Sequence, residues 1–273
     1  MTALCLWAGT LAGHGVWTRI RAAGRAGFGG LSVAPVELDA VVAAGDERRL
    51  RAELARHGLR LACLDPVAAW LPDPVPAHPA HRAHAAVSAS RCLDLAERFG
   101  IDLVNAIDVT WRPLPPTAAT HLAAFADRAR RRGITVTVEA QVPSGIADLR
   151  AAHELCRECG PDVRLTVDSW HFFRGRANRA ADLRGRAVGA VQLSDGAATP
   201  AADAVLESTT GRLLPGDGDF GLDRLLTAIT IEPGCPVGPE VFTAPVPEGR
   251  VDAVAVRAHD ATRNVLFHAP AVG

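Results

Sequence analysis

The sequence predicts an α/β fold, a (β/α)8 TIM barrel, and three observations carry that prediction. The chain has 273 residues, and a barrel of this type takes about 250 residues as one domain. Short apolar runs rich in β-branched residues alternate with longer Ala-, Leu- and Arg-rich segments of helical period, which is the signature of βα units. Several helical segments end alike, in AGRAGFGGLSV, LARHGLRLACL, AERFGIDLV and RARRRGITVTV. In each, a Gly closes the helix because it adopts the left-handed conformation at little cost, and a strand follows at once.

The elements follow in order. MTALCLWAGTLAGHG is apolar but lacks the basic start of a signal peptide, so residues 3–8 read as a first strand. The remaining strands are expected at 30–33, 60–64, 103–107, 135–139, 164–167, 187–193 and 237–242. Helices are expected at 17–26, 46–57, 80–99, 118–132, 146–159, 222–228 and 251–266. The Pro-rich stretch LPDPVPAHP, residues 71–79, follows the third strand and reads as a long loop over the barrel mouth. Nothing reads as a linker, so one domain spanning 1–273 is expected.

Composition narrows the function classes. Hydrophobic residues make up 48% of the chain and charged ones 22%, enough for a large core and unlike a disordered chain. Lys plus Arg number 29 against 30 Asp plus Glu, a net charge of −1. The one basic cluster, Arg128 to Arg132, falls at a helix end, where cations meet the negative end of the dipole. Nucleic acid is not the expected partner, since binding it needs a basic face. No apolar run reaches the roughly 18–20 residues that cross a bilayer. Six scattered cysteines do not form a secreted disulfide framework, so a reducing cytoplasm is expected. Cys156-Arg-Glu-Cys159, with His153 before it, lacks a second CxxC and reads as the buried side of a helix.

A barrel builds its site at the carboxyl ends of its strands, so polar residues that end apolar runs are the candidates. They are Asp65 (LACLDP), Asn105 and Asp108 (LVNAID), Glu139 (TVTVEA), Asp168 and His171 (LTVDSWH), Gln192 and Asp195 (VQLSD) and Glu240 (VGPEVF). Glu139, Asp168, Gln192 and Glu240 end strands five to eight in turn. Closure would converge three carboxylates and an amide oxygen, a set that repels itself unless a cation intervenes and that suits a hard ion such as Mg2+ or Mn2+. Trp111 and Trp70 are expected near the pocket mouth, where indoles stack on flat ligands or cap the core. Trp170 is expected to pack inward.

These motifs, with LLPGDGDFG at 213–221, resemble the sugar phosphate isomerase/epimerase superfamily, the xylose isomerase-like TIM barrels that include inosose dehydratases and ketose 3-epimerases. The resemblance runs from GFGGLSV to PEVF, nearly the whole chain. It implies that Glu139, Asp168, Gln192 and Glu240 hold one divalent metal, usually manganese, magnesium or cobalt. Gln192 departs from the pattern, since the family usually has His there, in H-x-S-D. The resemblance further implies that Glu139 and Glu240 move a proton on opposite faces of the substrate through an enediolate. His171 would contact or orient the substrate beside the metal, and Arg212 would bind it, with Asn105 and Trp111 as further substrate-binding candidates.

Three readings stay open at this stage: a metal-dependent isomerase or epimerase acting on a sugar-like polyhydroxy carbonyl compound, a dehydratase or other lyase of the same superfamily, and a binding protein whose site has decayed, with Gln192 as the first symptom. Relatives often pair through their barrel faces, which leaves a homodimer open. In all cases the expected partner is a small molecule.

Overall fold

The computed structural model describes residues 4–160, 162–175 and 177–268. Along the chain lie β1 (Cys5–Leu6), α1 (Val16–Ala26), β2 (Gly30–Val33), α2 (Pro35–Ala43), α3 (Glu47–Arg56), β3 (Arg60–Val67), α4 (Arg82–Ala85) and α5 (Ala89–Phe99). Then come β4 (Leu103–Ala106), α6 (Ala118–Arg130), β5 (Thr135–Glu139), α7 (Leu149–Cys159), β6 (Val163–Asp168) and α8 (Ser169–Arg174). The last are β7 (Val188–Leu193), α9 (Ala204–Thr210), α10 (Leu222–Ala228), β8 (Val237–Pro239) and α11 (Val251–His268). All eight strands are parallel and each pairs with the next, in the order β1 to β8.

The two ends of this sheet meet. The Trp7 N–H, just past β1, donates to the Pro239 carbonyl of β8 at 3.2 Å. At Gly238 a Cβ would lie 1.7 Å from the Cys5 carbonyl oxygen, so the last strand lies against the first only because this residue has no side chain. The fold is therefore the (β/α)8 barrel that the sequence predicts. Ala3, assigned to the first strand from sequence, lies outside the described residues.

Burial follows the alternation of a strand, in which neighbouring side chains point to opposite faces. Leu6, Leu31, Leu64, Val104, Val136 and Leu165 belong to the large cluster shared with the helices. Cys5, Cys63 and Leu103 alternate with them and form a separate cluster with Trp7, Ala62 and Ala190 inside the barrel. The glycine stops behave as expected, with Gly27 and Gly100 left-handed at the ends of α1 and α5.

The expected helix over 80–99 is divided into a 3-10 turn at Pro79–His81, then α4 and α5. Ser88 causes the break, because its hydroxyl accepts from the Arg91 N–H and starts α5 as an N-cap. The arginines at the end of α6 and beyond it pair with Asp127 and Asp94. On α7, Cys156 is buried against the Arg164 carbonyl. Among the described residues no helix is long and apolar enough to cross a membrane.

Candidate functional site

Asp168 ends β6 and is also the N-cap of α8, and this double position organises the motif VDSWHFFRG. Its Oδ1 accepts the His171 backbone N–H at 3.0 Å, so the spacing that brings a carboxylate and an imidazole together is the spacing of a helix cap. Its Oδ2 accepts Arg212 Nη1 at 2.7 Å in a fully buried ion pair. The Arg212 guanidinium lies between Trp170 and Phe242, 5.1 and 4.9 Å from their ring centroids. Arg174, the guanidinium of the same motif, turns away and pairs with Glu207, with Nε 2.9 Å from Oε1.

Glu139, Asp168, Gln192 and Glu240 all sit at the carboxyl end of the barrel and all are buried. Asp168 and Gln192 are direct partners across β6 and β7. Glu139 Oε1 accepts from Gln141 Nε2 at 3.0 Å and Oε2 from Asn105 Nδ2 at 2.7 Å. Gln192 Nε2 donates to Asp65 Oδ2 at 3.4 Å, while Gln192 Oε1 is buried without a hydrogen-bond partner. A buried amide oxygen left unpaired is costly, and an oxygen beside carboxylates is what a hard divalent cation takes. The chemistry of this donor set therefore suits such an ion, while Glu240 stands outside the group of converging ligand atoms. Ligand atoms of Glu139, Asp168 and His171 also lie within 4.8 Å of one another, a group of a size to hold a metal.

His171 nevertheless enters that group as a donor. Its Nδ1 accepts the Val142 backbone N–H at 3.0 Å, so the neutral ring carries its proton on Nε2. Burial, with Asp168 opposing and Arg212 adding to it, pushes its pKa down to about 4, and the ring is neutral near pH 7. Nε2 lies 3.8 Å from Glu139 Oε1 and 3.3 Å from Arg212 Nη2, a donor that competes for the same nitrogen. In the tautomer that the Val142 amide sets, Nε2–H can donate to a substrate oxygen and has no lone pair for a metal.

The carboxylates titrate as a crowded group. Burial, then the charges of Asp168 and Asp65, push Glu139 up to about 8. Burial and the surrounding carboxylates hold Glu240 well above its ordinary range. Asp65 rises to about 6, through burial and Asp168. Asp168 is pushed upward by burial, yet the charge of Arg212, joined by that of His171 once acid protonates the ring, holds it below the ordinary value. One guanidinium thus faces four carboxyl groups.

A cavity of about 240 Å3 opens above these groups, and Glu139, Glu240, His171, Arg212 and Trp111 are on its wall. Asn105 is not on that wall: it is fully buried beneath it, donating to Asp65 Oδ1 at 2.8 Å and to Glu139. Trp70 is turned into the core, where its Nε1 donates to the Ile107 carbonyl. Asp108 accepts from Thr110, from the Trp111 and Gly145 N–H groups and from Ser144, tying the loop after β4 to the loop after β5. Asp195 holds the LLPGDGDFG loop through the N–H groups of Gly216 and Phe220, which makes that loop a clamped turn.

Sequence reasoning gave no role to Asp65, although LACLDP ends an apolar run like the others, nor to Gln141 and the three histidines 78, 81 and 84 that wall the cavity. His78 stacks on Trp111, with ring centroids 5.9 Å apart. The repeated His in HPAHRAH was the available signal.

Residues 20–262 match the family described as xylose isomerase-like TIM barrel. Comparison with curated proteins finds no match. Among solved structures, the chain is similar to a xylose isomerase-like TIM barrel/4-hydroxyphenylpyruvate dioxygenase fusion protein, at TM-score 0.80 and 20% identity, with 98% of this chain and 43% of that chain covered. It thus spans less than half of that fusion protein. It is similar to the probable 3-DHS dehydratase AsbF involved in petrobactin synthesis from Bacillus anthracis, at TM-score 0.69 and 10% identity, covering 93% of this chain and 97% of that one. It is also similar to D-psicose 3-epimerase from Clostridium cellulolyticum H10, solved with D-tagatose, at TM-score 0.70 and 15% identity, covering 97% and 99%. At these identities the likeness is one of fold.

Proposed function

The chain belongs to the xylose isomerase-like TIM barrel family, and on that premise we propose that it is a divalent-metal-dependent isomerase or epimerase that moves a proton beside the carbonyl of a sugar-like compound. Two buried glutamates, Glu139 and Glu240, on the wall of one cavity carry this reading. Glu139, Asp168, Gln192 and Glu240 would hold the cation, Mn2+, Mg2+ or Co2+. When bound, it supplies the positive charge that acidifies a C–H next to a carbonyl and stabilises an enediolate.

The chain's own groups supply the rest. One glutamate takes the proton from carbon and the other returns one to the opposite face, with burial raising both above the ordinary carboxylate range, Glu139 to about 8. His171 Nε2–H and the Arg212 guanidinium donate to substrate oxygens. Trp111 covers one face of the bound molecule and keeps water away.

A second reading, loss of water from a β-hydroxy ketone, shares the first proton transfer. It is favoured by the outer wall of the cavity, where Ile107, Trp111, Val142, Pro143 and Phe242 have side chains that suit a ring with few hydroxyls. The dehydratase named among the similar structures supports the same alternative. Ketoses, inososes and cyclic hydroxy ketones incubated in D2O with Mn2+ separate the two readings. C–H exchange with an isomeric product supports epimerisation, a conjugated enone absorbing in the ultraviolet supports dehydration, and no exchange with any compound in the panel counts against both.

A further inference from the structure

The two ends of a glutamine amide are nearly equal in size, so sterics alone do not decide which one faces the carboxylates. Hydrogen bonds decide it here, and they run in one direction. Thr137 Oγ1 and Thr166 Oγ1 both donate to Asn105 Oδ1, at 3.1 and 2.8 Å. Both hydroxyls also lie beneath the site, in fully buried positions. With its oxygen occupied, Asn105 presents Nδ2 to Asp65 Oδ1 and Glu139 Oε2. Asp65 is thereby held with Oδ2 toward Gln192 and accepts from Nε2 at 3.4 Å. The end of this relay is Gln192 Oε1, buried and unpartnered.

Turning the amide round would set its oxygen against the Asp65 carboxyl group and aim N–H groups at the place where a cation would sit. We propose that Asp65 is a positioning residue that locks Gln192 with its amide oxygen, rather than its nitrogen, toward the divalent cation. The proposal rests on the metal reading given above. It also explains how a neutral amide can stand in this position, because an acceptor fixed behind the nitrogen leaves only oxygen in front.

The test is a double-mutant cycle read as Mn2+ affinity, by calorimetric titration of the full-length metal-free protein. Asp65→Asn should weaken binding about 10- to 100-fold, the usual effect of losing a group that orients a ligand, because the new side chain has one oxygen for two donors. In a Gln192→Glu background both ends of residue 192 are oxygens and no orientation remains to be set. There Asp65→Asn should weaken binding far less, since only a neighbouring negative charge is lost and no orientation. An equal loss in both backgrounds overturns the proposal and makes Asp65 a ligand or a fold-maintaining group.

Absence of Mn2+ binding by the unsubstituted protein would instead remove the metal reading itself. Should Asp65→Asn not fold, nuclear Overhauser contacts in the unsubstituted Mg2+-loaded protein decide the matter. The Gln192 side-chain NH2, identified by its disappearance in Gln192→Glu, must contact the Asp65 β-protons, and a missing contact sinks the proposal.

Discussion

The Val142 amide decides what His171 can do. Because that N–H occupies Nδ1, His171→Ala should lower turnover while leaving bound metal unchanged, measured by exchange rate and metal analysis of the same samples. Loss of metal at normal thermal stability would make His171 a ligand after all. Glu139→Gln and Glu240→Gln should each reduce C–H exchange by about 10²- to 10⁴-fold, the range for a lost acid or base, with circular dichroism unchanged. Near-normal activity in either variant would end the two-glutamate scheme. Gln192→His should tighten Co2+ or Zn2+ more than Mg2+, because imidazole nitrogen suits borderline ions. Titration of the metal-free variant with each ion checks it, and unchanged affinities would show that residue 192 is not a ligand.

At the scale of elements, what the sequence made legible was whatever repeats. Strands ended by a carboxylate and helices ended by glycine carry their own punctuation, so Gly30–Val33 and Thr135–Glu139 match expectation at both ends. Three helices went unread for a physical reason: α2 follows β2 after a single residue, and α8 and α9, six and seven residues long, lack the spacing of Leu222, Leu225 and Leu226 that makes the equally short α10 legible. α8 is nonetheless the element that places His171, and its cap was visible in Asp168-x-x-His171. The direction of side chains was legible only where burial fixes it, which is why Asn105 read as a wall residue although it lies beneath the wall. Closure is local too. Gly238→Ala should destabilise by about 3 kcal/mol, the upper part of the range for overpacking, because its Cβ would meet backbone at Cys5 and not a movable side chain. Thermal unfolding measures this, and a change within 0.5 kcal/mol of zero, the size of a neutral surface substitution, would mean that the strands part easily.

For the whole molecule, buried ionisable groups set opposite limits on stability. His171 and His81 drop from 6.5 to about 4 through burial, and His84 drops as well. Below pH 6.5 the unfolded chain binds protons that the folded one refuses, so stability falls from there toward pH 4. Glu139 rises from 4.5 to about 8 and Asp65 from 3.8 to about 6, with Glu240 also raised. As pH climbs through those windows the unfolded chain releases its protons first, and stability falls again. Melting of the metal-free protein should therefore peak in mildly acidic buffer, and excess Mn2+ should abolish the alkaline decline while leaving the acid one. An alkaline decline that Mn2+ does not alter would place the cation elsewhere. The clamp at Asp108 has a further consequence for how such a site diversifies. It fastens the loop of Trp111 to the loop at 144–145, so an exchange in either one disturbs both, whereas the segment with His78, His81 and His84 meets Trp111 through a stacked ring. Selection for a bulkier substrate would find its tolerated changes on that histidine rim, and a library randomised there should yield more folded, altered-specificity variants than one randomised at 108–111.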